Sequence, residues 1–309
     1  MSPSERQGLW LGVAGVAIFA LTLPMTRLAV GTPEVPWMSG VFVALGRAAV
    51  AGALSAAFLL ATRAPLPRGP EWRALAITAG GVVFGFPVCT SIAMRHVEAV
   101  HASVIVGVLP LATALVGALL HRQRPSRGFW ACAVLGSLLV VAFALLHSGT
   151  GLRLDPADAL LLAAMGFAAV GYAWGARLSQ RMRAEHVICW ALVLSLPVTL
   201  PLSWWTRPQV PVPAAAWGGF AYVSVFSMWI GFFAWYRGLA QGGTVRVSQV
   251  QLLQPFLSMV FAVPLLHERL DAVSLGFALA VIATVFAGRR MPVARPPATP
   301  TLSPAVEPR

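Results

Sequence analysis

The 309-residue chain contains no lysine and only 10 acidic residues. Its charged fraction is 10%, well below the roughly 25% of soluble domains. Hydrophobic residues make up 58%. That balance excludes a water-soluble globular fold. Cysteine is also scarce. Cys89, Cys132 and Cys189 are far apart, and none forms a CxxC or His/Cys cluster, so neither a disulfide framework nor a metal site is expected. They read as small core residues. Recognisable chemistry is missing as well. There is no phosphate-binding GxxxxGKS or GxxxxGKT loop, no GxGxxG after a strand, no HExxH and no GxSxG. No carboxylate is expected within a span. An enzyme needs a nucleophile, metal or acid–base pair. None assembles at membrane depth, so the chain is not read as an enzyme and no cofactor is expected.

What remains is apolar sequence in blocks of about 18 to 25 residues, long enough to cross a hydrocarbon core of roughly 30 Å. Spans are predicted near 8–26, 36–61, 72–92, 99–120, 128–146, 157–177, 187–205, 214–236, 245–266 and 272–288. The fold class is all-α, a polytopic membrane protein. Arg6 before an apolar run also fits a signal peptide. The run is long for one, and it lacks a clean small-x-small site.

The second half repeats the first. Arg95-His96-Val97 precedes Leu109-Pro110 by nearly the interval at which Arg237-Gly238-Leu239 precedes Gln254-Pro255. Each half carries five blocks. An odd number makes the second copy enter the membrane from the opposite side, an inverted repeat of the secondary-transporter kind. The expected units are 8–146 and 157–288, each of five helices, and a Pro-rich cytoplasmic tail at 289–309 that lacks apolar periodicity and reads as disordered.

All 22 basic residues are arginine, and the net charge is +12. In a soluble protein such a surplus suggests nucleic acid. Here the arginines sit in short connections, so topology explains them and no nucleic acid is expected. Arg6, Arg63, Arg68, Arg73, Arg122, Arg124, Arg127, Arg177, Arg181, Arg183, Arg237, Arg246 and the arginines after residue 288 fall on one side. The positive-inside rule then puts both termini in the cytoplasm. The expected partners are a small-molecule solute and the lipid bilayer. Oligomeric state is open between monomer and homodimer.

Candidate binding residues are the polar groups within spans, since burial in hydrocarbon is costly. Arg47 lies about 16 Å along its span at 1.5 Å per residue, near mid-membrane. It either binds an anionic group of a solute or bonds backbone carbonyls and holds the fold together. Ser248, Gln251, Pro255 and Ser258 share one helix face, with Gln254 beside it. These glutamines read as solute ligands or as interhelical hydrogen bonds. Trp229, Tyr172 and Trp174 are aromatic candidates for a cavity wall. Glu98 and His101 offer a weak candidate for proton coupling, or a wetted outer loop with a local ion pair. Gly8-xxx-Gly12, Gly81-xxx-Gly85 and Gly171-xxx-Gly175 read as helix-packing positions.

Several stretches together resemble the ten-span EamA-type transporters of the drug/metabolite transporter superfamily. Phe19-Ala-Leu-Thr-Leu-Pro-Met-Thr-Arg27-Leu opens one copy. Asp158-Ala-Leu-Leu-Leu-Ala-Ala-Met-Gly-Phe, followed by Arg177-Leu-Ser, opens the other. Gly46-Arg47, Leu109-Pro110 through Gly117, and Gln254-Pro255 through Leu266-His-Glu268-Arg-Leu complete the set. The resemblance covers about 10–290. It implies an inner-membrane carrier of two inverted five-helix repeats around a central cavity, moving small metabolites, amino-acid-like compounds or drugs, often outward. It implies no catalytic residue. Where that family often has Gly-Glu after the fourth span, this chain has Arg122-Gln123, while the second copy keeps Glu268. A membrane-embedded sensor or channel-like protein is the alternative function.

Overall fold

In hydrocarbon, every backbone N–H and C=O needs a partner within the protein, so apolar runs of this length fold as helices. The computed structural model describes residues 3–120, 124–147, 155–242, 247–269, 271–289 and 293–294. In chain order the first half has α1 (Pro3–Val30), α2 (Gly40–Ala61), α3 (Gly69–Ala93), α4 (Ala99–Leu120) and α5 (Arg127–His147). The second has α6 (Pro156–Leu178), α7 (Ala184–Trp205), α8 (Ala214–Gly242), α9 (Gln254–Leu266) and α10 (Ala272–Arg289). Two two-residue strands, β1 (Arg124–Pro125) and β2 (Val293–Ala294), pair antiparallel. Part of the segment after α10, expected to be without order, is therefore tied to the connection before α5. The rest of the tail lies outside the described residues.

The sequence predicts ten spans. Length and apolarity establish seven among the described residues, α1–α4 and α6–α8. α9 is shorter because its approach is a 3-10 turn, Ser248–Leu253, and Pro255 stands at the first turn of the helix proper. α5 is a 21-residue helix.

Polar residues outside the apolar runs start the helices. The Ser39 hydroxyl accepts from Phe42 N at 3.0 Å ahead of α2. The Asp155 carboxylate accepts from Ala157 N at 2.7 Å ahead of α6, with Pro156 next, where no N–H is needed. An Asp271 carboxylate oxygen accepts from Ser274 N at 2.6 Å at the start of α10.

The two halves meet in a regular scheme. α1 packs along α8 and α3 along α6, while α2 meets α7, α4 meets α9 and α5 meets α10. Exchanging the halves maps this scheme onto itself, as an approximate two-fold axis between them requires. The backbone irregularities follow the same correspondence. A π-helical stretch interrupts α3 at Gly80–Gly85 and α8 at Val223–Ile230. The helix also breaks before Pro110 in α4 and before Pro255 ahead of α9.

Glycine sets the closeness of these seams. A Cβ on Gly8 would lie 2.5 Å from Gly242 N, and one on Gly238 would lie 2.9 Å from Gly12 N. A Cβ on Gly81 would lie 2.8 Å from the Gly171 backbone. Backbones this near leave no room for a side chain.

Gly8→Val should therefore destabilise the protein by about 1–3 kcal/mol through overpacking. Gly117→Ala, whose Cβ would meet nothing within 4 Å, should be neutral. Thermal unfolding of both variants in detergent checks this. Equal Tm values would show that the α1–α8 seam yields.

Candidate functional site

The site begins with a proline. Pro24 has no N–H, so the Ala20 carbonyl four residues earlier loses its helical partner and α1 turns at Leu21. The second half supplies the donor missing at Ala20 and a further one at Ile18. The Ser258 hydroxyl donates to Ala20 O at 2.6 Å, and the Tyr222 hydroxyl donates to Ile18 O at 3.0 Å. The turn also brings Thr22 to the interior, 3% exposed. Its hydroxyl lies 2.8 Å from that of Ser227 in the π-helical stretch of α8.

Arg47, in the middle of α2, is 1% exposed. It donates from Nη2 to the Ser227 hydroxyl at 3.2 Å. Its Nε and Nη1 have no hydrogen-bond partner among the described residues. Phe19, Thr22, Val82 and Phe86 from the first half, and Tyr172, Ser227, Phe232 and Gln254 from the second, enclose a small cavity with this guanidinium. About 10 Å³ is open to a water-sized sphere, roughly the room one water needs. The Gln254 carbonyl oxygen is buried here without a partner. Tyr172 and Phe19 stack with centroids 6.5 Å apart, and Phe232 and Trp235 pack against both. The centre is a closed, aromatic-walled chamber holding one under-partnered cation.

Arg47, Gln254 and Tyr172 are thus brought together, as candidates named from sequence. The others lie elsewhere. Gln251 is 1% exposed, with neither amide atom partnered, but does not line the chamber. Trp229 packs on Phe58 and Phe233. Trp174 carries the Arg177 guanidinium 5.4 Å from its ring centroid near the end of α6. The side chain of Ser248 lies outside the described atoms. Thr22 and Ser227 were not singled out in sequence. Single hydroxyls inside apolar runs carry no spacing signal, because most serve their own helix. Ser224, which donates to Phe220 O at 2.7 Å, is an example.

Open clefts lie at the two ends. One of about 550 Å³ is walled by Arg27, Trp37, Glu98, His267, Glu268 and Arg269, among others. Here arginines hold helix ends. Arg27 donates to Met94 O and Arg95 to Met38 O, both at 2.6 Å. Glu98 precedes α4 without capping it. Glu268, from the other half, caps α4 instead, accepting from Ala99 N at 2.9 Å and Val100 N at 2.8 Å. Burial pushes the Glu268 carboxyl above its ordinary pKa, against the pull of these two donors.

At the same end, His101 Nε2 lies 2.6 Å from an Asp158 carboxylate oxygen. Asp158 sits in the first turn of α6 and is fully buried. This corrects the expectation that no carboxylate falls within a span. Being two residues past the Pro156 start, Asp158 looks terminal in sequence, yet the packing of α4 over α6 covers it. His101 therefore has a partner from the opposite half, and Glu98 lines the same cleft of about 270 Å³ as this pair.

With this geometry in place, comparison with known proteins decides the family. The sequence profile of the EamA-like transporter family matches residues 6–146 and again 155–288. The chain belongs to that family. It is a multi-pass membrane transporter of the drug/metabolite transporter superfamily. It is 46% identical over 286 residues to "Uncharacterized transporter YdeK" of Bacillus subtilis (strain 168), covering 91% of this chain and 96% of that one. It is 20% identical over 187 residues to "Uncharacterized transporter YyaM" of the same organism, covering 58% of this chain and 61% of that one. One crystal structure superposes with a TM-score of 0.65 at 17% identity, covering 91% and 96% of the two chains, and so shares the fold.

Ser227→Ala removes the hydrogen bond found for Arg47 among the described residues. It should cost about 1–3 kcal/mol, the penalty of a buried donor left unmet. Chemical denaturation in detergent measures it. Unchanged stability would show that water already serves the guanidinium.

Proposed function

We propose that this EamA-family transporter is a secondary exporter of a small anionic metabolite, amino-acid-like compound or drug in the cell inner membrane, and that it works by alternating access. In this reading ten helices span the bilayer as two inverted five-helix repeats, with both termini cytoplasmic. The two-fold pairing of the halves and the odd helix number per family-profile match support that arrangement. With five helices per copy, the axis lies in the membrane plane.

One observation carries the substrate class. Two nitrogens of the buried Arg47 guanidinium, Nε and Nη1, have no partner among the described residues, inside a chamber walled by both halves. A cation in hydrocarbon is costly without an anion or a set of carbonyls around it. Ser227 alone is a weak counterpart, and a solute carboxylate fits the planar donor fork. The chamber is shut on the scale of a metabolite, so it has to open toward one end cleft at a time. Gln254 adds a neutral acceptor beside the cation, suited to an ammonium or hydroxyl on the same solute. Gln251, buried but outside the chamber lining, affects binding through packing.

His101 and Asp158 supply the coupling in this scheme. They join α4 of the first half to α6 of the second at one end. A proton on the carboxylate weakens that bridge between the halves. Glu98 takes no direct part.

The test is transport into proteoliposomes, screening radiolabelled carboxylates and amino acids with and without a proton gradient. Arg47→Gln keeps a donor toward Ser227 but loses the charge. It should reduce transport of the identified solute by about 10- to 100-fold, as loss of a charge-assisted hydrogen bond implies. Wild-type rates in a correctly inserted Arg47→Gln protein would overturn the anion reading. Asp158→Asn should abolish stimulation by the proton gradient while leaving gradient-free exchange measurable. Full stimulation in that variant would exclude the pair from coupling.

A further inference from the structure

At the end opposite Glu268, a cleft of about 770 Å³ opens between two connections. One wall is the α2–α3 connection, with Leu66 and Arg68, continuing into Glu71 in the first turn of α3. The other is the α6–α7 connection, with Arg181 and Arg183, continuing into His186 and Trp190 of α7. Each half of the protein supplies one wall.

The charges around this cleft do not balance. Glu71 is occupied by the backbone, its Oε2 accepting from Arg68 N at 2.7 Å. Glu185 lies 3.9 Å from Arg183 Nε and 3.3 Å from Arg237 Nη1, so its charge is shared between those two arginines. Among the described residues, Arg68 and Arg181 have no carboxylate within ion-pair distance. Surplus arginine on this side of the membrane is ordinary, and alone would mark only orientation.

A second observation points to a ligand. His186 lines the cleft and is only 4% exposed, yet its Nε2 has no hydrogen-bond partner among the described residues. The indole N–H of Trp190, also on the wall, is likewise unpartnered. Trp190 is held by Trp72, whose ring centroid is 5.9 Å away. These two nitrogens line the same cleft as two guanidiniums that have no carboxylate partner among the described residues. Leu66, 75% exposed, puts an apolar edge on the rim. The prolines at 65, 67 and 70 stiffen this connection.

We propose that this cleft binds a phosphate anion, with the headgroup of an anionic glycerophospholipid as its source in the membrane. Arg68 and Arg181 clamp the phosphate oxygens. The His186 and Trp190 nitrogens donate from below, and the acyl chains leave past Leu66. Tryptophan at headgroup depth and basic pockets between helix ends are both suited to this ligand. An occupant would bridge the two halves. The proposal does not depend on what the central chamber carries.

The experiment is thermal unfolding of the purified full-length protein in detergent, titrated separately with phosphatidylglycerol, phosphatidylcholine and glycerol phosphate. The expected result is a saturable rise in Tm with phosphatidylglycerol and none with phosphatidylcholine. Arg68→Gln and Arg181→Gln alter exposed, unpaired side chains, so each should keep the parent Tm without lipid. Each should weaken the apparent affinity by about tenfold, the loss of one charge-assisted contact. Arg127→Gln, an exposed arginine outside the cleft, should bind as the parent does. An equal rise with glycerol phosphate would confirm the site and make the free anion its source. No rise with either phosphate, or a rise undiminished in both cleft variants, overturns the proposal.

Discussion

The whole architecture rests on one requirement, that no backbone polar group in hydrocarbon goes without a partner. Helices meet it along their lengths. Pro24 breaks it in α1, because it cannot donate to the Ala20 carbonyl. The repair comes from the other half, through Ser258, while Tyr222 secures the neighbouring carbonyl of Ile18. A local defect in one helix thereby becomes a bond between halves at the centre of the molecule. The same defect turns Thr22 inward, where it meets Ser227 and forms the polar floor beside Arg47.

Arg47 is the opposite case, a charge whose needs the protein leaves unmet. The surrounding aromatics are rigid and apolar, and they shrink the chamber to about 10 Å³. A guanidinium with idle donors in so dry a space favours any arrangement that brings an anion. Approximate symmetry makes this choice asymmetric. The halves pair two-fold, yet Arg47 belongs to the first and Gln254 to the second, so the chamber has a cation on one side and an amide on the other.

The apolar blocks, the repeat and the small-xxx-small seams were legible in the sequence, because each is a matter of composition or period. Gly8 and Gly12 do meet Gly238 and Gly242, but nothing in the spacing names that partner. Arg47 was legible because a charge stands out within a span. Thr22 and Ser227 were not, since hydroxyls are common in membrane helices and usually serve their own backbone. Asp158 was misjudged for a geometric reason. Its place near a helix start reads as interfacial, while its burial depends on α4 crossing above it. The shortening of α9 shows the same limit. A hydropathy run does not distinguish an α-helix from a 3-10 turn leading into one.

Glu268 belongs to the second half of the chain but finishes a helix of the first. The amides of Ala99 and Val100 have no cap of their own, and their shielding from water is on loan from a loop 168 residues away in sequence. Whenever the halves part at this end, these two amides lose their acceptors together, ahead of any change in α4 itself. They are an intrinsic clock hand for the molecule. In the proposed alternating-access cycle their exchange with deuterium would follow the separation of the halves, with no label or substrate required.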